Sequence, residues 1–203
     1  MNSFDERAAQ WDENPERLIR AQDAARSIRN HVPLDSKWIA MEYGCGTGLV
    51  GFILQPFLGH LVMADSSSGM LTVLQEKISR AGVTNMTCIR LDLATDPAPA
   101  ALFHLIFTSM TLHHVDDTLS LLNRFYDQLK DGGYLAVVDL DVEDGSFHGK
   151  GFTGHKGFDR TVLEGQVHQA GFERVVFYDL APLTKNTEMG MRTFPLFLLV
   201  AHR

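Results

Sequence analysis

The chain has 203 residues, enough for one domain and an ample core, with 45% apolar content. A net charge of −7 argues against a protein that grips nucleic acid by neutralising phosphates, and no Lys/Arg cluster relieves it. Two cysteines without metal spacing fit a reducing, cytoplasmic setting; no leader pattern opens the chain and no apolar run reaches membrane-spanning length, so neither a signal peptide nor a membrane partner is expected.

Residues 4–30 read as helical with one break. Phe4, Ala8 and Trp11 share a face, Asn14 caps a second helix with Pro15 in its first turn, and Leu18, Ala21, Ala25 and Ile28 continue an apolar stripe. The segment 1–34 is expected to be an N-terminal helical lid over a core at 35–203, the whole forming a single domain.

Strands and helices then alternate. The pattern predicts strand 38–43, helix 47–56, strand 60–64, helix 67–81, strand 86–91, strand 102–109, helix 117–130, strand 133–140, helix 159–170 and strands 173–179 and 194–201. Turn signals separate them, among them Gly59, Ala81-Gly82, Pro97 and Pro99, Gly132-Gly133 and Ala170-Gly171. Such alternation predicts an α/β, Rossmann-like, doubly wound and mostly parallel sheet, closed by a C-terminal antiparallel strand, because no helix separates the last two strands. Ligands then sit at the carboxyl ends of the strands, near the point where strand order reverses.

The densest chemistry lies in Glu42-Tyr43-Gly44-Cys45-Gly46-Thr47-Gly48, a glycine turn between strand and helix. Without Cβ atoms the backbone approaches a ligand closely, and the following helix aims its N–H groups there. The dinucleotide fingerprint places its third glycine where this chain has Leu49. Glycines instead alternate at 44, 46 and 48, behind Glu42, a carboxylate suited to an amino group and hostile to a pyrophosphate. Cys45 is expected to fill a small slot.

This pattern resembles motif I of the class I S-adenosylmethionine-dependent methyltransferases, and the resemblance extends over about residues 37–140. It implies S-adenosyl-L-methionine as cofactor. Asp65 ends the second strand where a carboxylate can accept from both ribose hydroxyls, or cap the next helix with Ser66, Ser67 and Ser68; both roles are compatible. Asp65-Ser66-Ser67-Ser68-Gly69-Met70 resembles motif II, which implies Met70 beside the adenosine. The resemblance gives Asp92 the adenine amine and the Leu93 N–H a ring nitrogen. Ser109 ends the fourth strand on the cofactor side, and His104 stands where the family often has Asp.

The run Met110-Thr111-Leu112-His113-His114-Val115 resembles the post-strand motif of small-molecule methyltransferases. His113 and His114 are therefore the candidate bases, His113 preferred on family placement, with packing at the turn as the competing reading. The glycine- and histidine-rich loop 141–157 is a candidate acceptor wall, with His148 and His155 as substrate residues. Glu143, Asp144, His148 and His155 have metal-binding chemistry, yet the family's metal-dependent members use a carboxylate where Thr108-Ser109 stands, so no metal is expected. The strand-four end lacks the Asn-Pro-Pro-Tyr and Pro-Cys signatures of amine and cytosine methylation. The resulting expectation is an enzyme that methylates a small molecule by in-line displacement. A cofactor-binding protein without turnover and an NAD-dependent oxidoreductase are the alternatives. Oligomeric state is not legible.

Overall fold

The structure is a computed structural model that describes residues 3–203; Met1 and Asn2, the start of the expected lid segment, lie outside the described residues. Seven strands form one sheet: β1 (Ile39–Tyr43), β2 (His60–Asp65), β3 (Met86–Arg90), β4 (Phe103–Ser109), β5 (Leu129–Leu140), β6 (Glu173–Thr187) and β7 (Gly190–His202), in the order β3-β2-β1-β4-β5-β7-β6. β1 pairs in parallel with β2 and β4, β2 with β3, and β4 with β5. β7 is antiparallel to both β5 and β6, as the missing helix between the last two strands predicts. The chain winds outward from β1 to β3 and returns to β4. Strand order therefore reverses between β1 and β4, and a crevice opens at their carboxyl ends.

Side chains alternate across the sheet with period two. Met41, Tyr43 and Ile106 face a core built with α5 (Thr118–Gln128) and α6 (Arg160–Gln169), through Leu121, Leu122, Phe125, Leu163 and Val167. Ala40, Leu105 and Phe107 face the opposite core, with α2 (Pro15–His31), α3 (Leu49–Leu54) and α4 (Ser68–Ala81), through Ala21, Ala24, Ile28, Leu54, Leu74 and Ile78. Both faces are covered, which is why the central strands read as nearly continuous apolar runs.

Boundaries differ from expectation for local reasons. Asn14 does cap α2, its side chain accepting from the Glu16 N–H at 2.9 Å. The first helix is short, however: α1 (Ser3–Arg7) passes into a 3₁₀ segment at Ala8–Glu13. α2 carries its stripe on Ala21, Ala24, Ala25 and Ile28, while Leu18 is exposed. α2 thus packs on the sheet through that stripe, while Phe4 and Trp11 of the preceding segment and Arg17 and Arg20 of α2 border the crevice. β6 and β7 run past their expected ends as a two-stranded ribbon. Pro182, a stop signal in the sequence, sits in the register shift between Leu180 and Leu183, where the ladder needs no N–H. Among the described residues no helix is long and apolar enough to cross a membrane.

Candidate active site

The crevice holds a cavity of about 670 Å³, lined from the glycine turn, the ends of β1 to β4, the turn after β4, and the N-terminal segment. Glu42, Gly44, Cys45, Gly46, Asp65, Ser66, Met70, Asp92, Ser109 and His114 all border it. Gly48, Leu93, His113, His148 and His155 do not.

Glu42 is the electrostatic centre. It is 2% exposed, and its Oε2 has no hydrogen-bond partner among the described residues. Burial pushes its carboxyl up to about 8, against a backbone hydrogen bond from Gly51 that pulls the other way. A buried, unpaired carboxylate oxygen on a cavity wall is poised for a cation.

The glycine turn is shaped by its neighbours. Gly44, Gly46 and Gly48 have φ of 70°, 53° and 78°, left-handed values that other residues resist. A Cβ on Gly44 would strike the Thr111 side chain. Thr111 reaches that position because Met110, a non-glycine residue with φ of 56°, swings the chain back over the turn; Thr111 Oγ1 then donates to Gly44 O at 3.2 Å. Gly48 caps α3 away from the cavity. Burial raises the Cys45 thiol well above its ordinary value, so it stays protonated and fills space.

Asp65 is already engaged by backbone. Its Oδ2 accepts from Gly46 N–H at 2.7 Å and its Oδ1 from Ser67 N–H at 2.8 Å, leaving one lone pair on each oxygen for a ligand. Burial raises its pKa. Asp92 accepts from Ala94 N–H at 3.0 Å at the cavity edge. The Leu93 N–H, expected to meet a purine nitrogen, donates instead to the Tyr43 hydroxyl at 3.2 Å, and Leu93 is buried.

The two adjacent histidines divide. His113 is 1% exposed; its Nδ1 lies 2.6 Å from Asp139 Oδ1 and its Nε2 lies 2.9 Å from His148 Nε2. His114 faces the cavity, edge-on to Phe4 and Phe152. Burial, then the neighbouring His113, push its pKa down to about 4, so its ring is neutral near pH 7. His148 stacks on Phe152 behind this wall, and His155 is tied to the Val115 carbonyl at 3.0 Å, which fastens the 141–157 loop to the turn after β4.

Several cavity features escape sequence reasoning. Asp12 accepts from Thr47 Oγ1 at 2.5 Å and from Lys77 Nζ at 2.6 Å, while Lys77 also donates to Thr47 O at 2.8 Å. Asp5 accepts from Ser67 Oγ at 2.6 Å and Gly69 N–H at 2.9 Å. These two aspartates clamp residues 3–13 onto the glycine turn and the start of α4. The signal was their place beside the Phe4, Ala8, Trp11 face. Arg17 and Arg20, three apart on α2, also line the cavity; burial lowers the pKa of both.

A strand-order reversal, a glycine turn behind a buried acid, and further acids at the next two strand ends make an α/β domain with an acid-lined cavity at its switch point. Residues 40–133 match the family model described as a methyltransferase domain. An uncharacterized methyltransferase of Schizosaccharomyces pombe is 27% identical over 164 residues, 77% of this chain and 56% of that protein. The ubiquinone/menaquinone biosynthesis C-methyltransferase of Vibrio parahaemolyticus is 26% identical over 152 residues, 60% of this chain and 58% of that protein. The chain therefore spans a little over half the length of these curated relatives. The structure of a SAM dependent methyltransferase from Aquifex aeolicus has the same fold, with a TM-score of 0.71 over 98% of this chain and 97% of that one at 18% identity. Together these findings show a match to a methyltransferase domain over residues 40–133 and the fold of a solved S-adenosylmethionine-dependent methyltransferase.

Proposed function

We propose that the chain binds S-adenosylmethionine in this cavity and transfers a methyl group to a small-molecule acceptor. The observation that carries the reading is the Glu42 Oε2, buried and unpartnered at the end of β1, with Asp65 and Asp92 following at the ends of β2 and β3. The donor set fits the group. Glu42 takes the ammonium of the amino-acid tail and the Arg17 guanidinium its carboxylate. Asp65 takes the ribose hydroxyls with its spare lone pairs. Asp92 takes the adenine amine, and Met70 packs against the adenosine. Because the Leu93 N–H is used by Tyr43, ring contacts fall to side chains and to Leu91 and Ala94 on the wall.

When bound, the cofactor supplies an activated methyl on a sulfonium. The protein's own part is to bind, orient and exclude water. Phe4 and Trp11, fastened through Asp5 and Asp12, cover the mouth. His114 is the cavity-facing imidazole, and a neutral ring there can accept a proton from an acceptor hydroxyl or amine. His113, held by Asp139, fixes the turn that aims His114.

The test has two stages. A thermal shift with S-adenosylhomocysteine at a hundred times its dissociation constant adds about 2.7 kcal/mol. That corresponds to a rise of roughly 5–11 °C in a domain of this size. A rise with NAD and none with S-adenosylhomocysteine overturns the reading in favour of an oxidoreductase. Mass spectrometry of an acceptor panel then separates turnover from cofactor binding without turnover.

A further inference from the structure

On the acceptor side of the cavity His114, the ring proposed above as proton acceptor, belongs to a cluster of three imidazoles. His113 and His114 come from the turn after β4 and His148 from the loop after β5. Each offers a ring nitrogen, and the three nitrogens lie within 4.8 Å of one another. His113 Nε2 and His148 Nε2 face each other at 2.9 Å. Two imidazole nitrogens at that distance share one proton, or share a cation that replaces it.

The surroundings favour the cation. Asp139, fully buried, accepts at His113 Nδ1 from 2.6 Å, which puts the ring proton on that nitrogen and turns the Nε2 lone pair toward His148. A carboxylate behind an imidazole in this way orients metal-ligating histidines and raises their basicity. His148 is held flat on Phe152, with ring centroids 3.9 Å apart and planes 20° apart, so its Nε2 is aimed without help from a flexible backbone. Aromatic rings of Phe147 and Phe152 pack against the cluster, which buries His113 and leaves His114 and His148 exposed to an entering ion. A tetrahedral ion with bonds of 2.0–2.1 Å holds its nitrogens roughly 3.3 Å apart. The His113–His148 pair, at 2.9 Å, needs to open by only a few tenths of an ångström, and the His114 nitrogen, within 4.8 Å of both, has to turn inward to close the third side.

We propose that His113, His114 and His148 form a three-imidazole site for one divalent transition ion of the Zn²⁺ type, with its fourth position open toward the cavity. An all-nitrogen set selects such ions over Mg²⁺ and Ca²⁺, which demand oxygen ligands. The open position lies on the acceptor side, so the ligand class it takes is a small molecule with a coordinating oxygen, such as a hydroxyl or a carboxylate. The site uses none of the residues placed against the cofactor, but it shares His114 with the acceptor side: an ion held there takes that ring's lone pair, so ion binding is tested apart from cofactor binding and apart from the proton-accepting role.

The experiment uses the full chain without a histidine tag, stripped with a chelator and titrated with Co²⁺. We expect one equivalent to bind with the visible bands of tetrahedral cobalt, and Zn²⁺ to displace it. His148→Ala and His114→Ala, which lie outside the buried core, each weaken binding at least tenfold with an unchanged circular dichroism spectrum. His168→Ala, on α6, leaves affinity as it was. Absence of saturable Co²⁺ or Zn²⁺ binding overturns the proposal. So does wild-type affinity in either cluster variant, or an octahedral cobalt spectrum.

Discussion

Glu42→Gln isolates the electrostatics of the cofactor pocket. In the ligand-free protein burial holds the Glu42 carboxyl at about 8, well above the ordinary 4.5 of a glutamate. The folded state thus binds this proton more tightly than the unfolded chain. Stability from this group is complete below pH 4.5 and falls as pH rises through about 8. The whole effect is worth about 4–5 kcal/mol, and the part lost between pH 5 and pH 7 about 2–3 kcal/mol. Wild type should lose that increment, roughly 5–10 °C in melting temperature, while Glu42→Gln lacks this slope. Ligand binding reverses the sign. A cation about 4 Å from the carboxylate is worth about 4 kcal/mol at an effective dielectric near 20, or about three pK units. Near pH 7 the free site carries about 0.9 proton and the occupied site almost none. Calorimetry with S-adenosylhomocysteine, in two buffers of different ionisation enthalpy, should therefore show the wild type releasing about 0.9 proton more than Glu42→Gln. The variant should bind about 100-fold more weakly, the Coulomb gain less the work of ionising the acid at this pH. Equal proton counts and affinities within twofold would refute the assignment of Glu42 to a cationic tail.

Gly44→Ala places a methyl group into Thr111 at a left-handed position, and should lower stability by about 2–5 kcal/mol in urea titrations; adding Thr111→Gly should recover the steric part and leave the backbone part. Asp12→Ala removes the anion that Lys77 and Thr47 share, at about 1–3 kcal/mol, and should speed proteolysis near Asn14 as well as weaken cofactor binding. His113→Ala removes the imidazole from the buried Asp139, which keeps only the backbone N–H groups of residues 113 and 140, and should destabilise by about 1–3 kcal/mol in thermal or denaturant unfolding. His114→Ala should leave the melting temperature within a few degrees but reduce turnover of an acceptor that must lose a proton; normal turnover removes His114 from the chemistry.

Much of this molecule is written locally. The alternation of apolar runs with caps and glycines gave the order of elements, because helix and strand periods are properties of short segments. Asn14 before Pro15, Ala81 before Gly82 and the glycines at 44, 46 and 48 marked their own boundaries for the same reason. Glu42, Asp65 and Asp92 were legible as a set since each ends a strand, and parallel strands bring their carboxyl ends to one edge. Pairing over long separations was not legible. Nothing local told which of His113 and His114 would be buried: one residue's rotation about the turn decides it, and Met110 in its left-handed conformation sets that rotation. The meeting of His148 with His113 across 35 residues, the Tyr43 hydroxyl taking the Leu93 N–H, and the aspartates of residues 3–13 closing over the glycine turn are contacts between distant segments. Their free energy appears only when packing has fixed both partners, so only the tertiary structure could decide them.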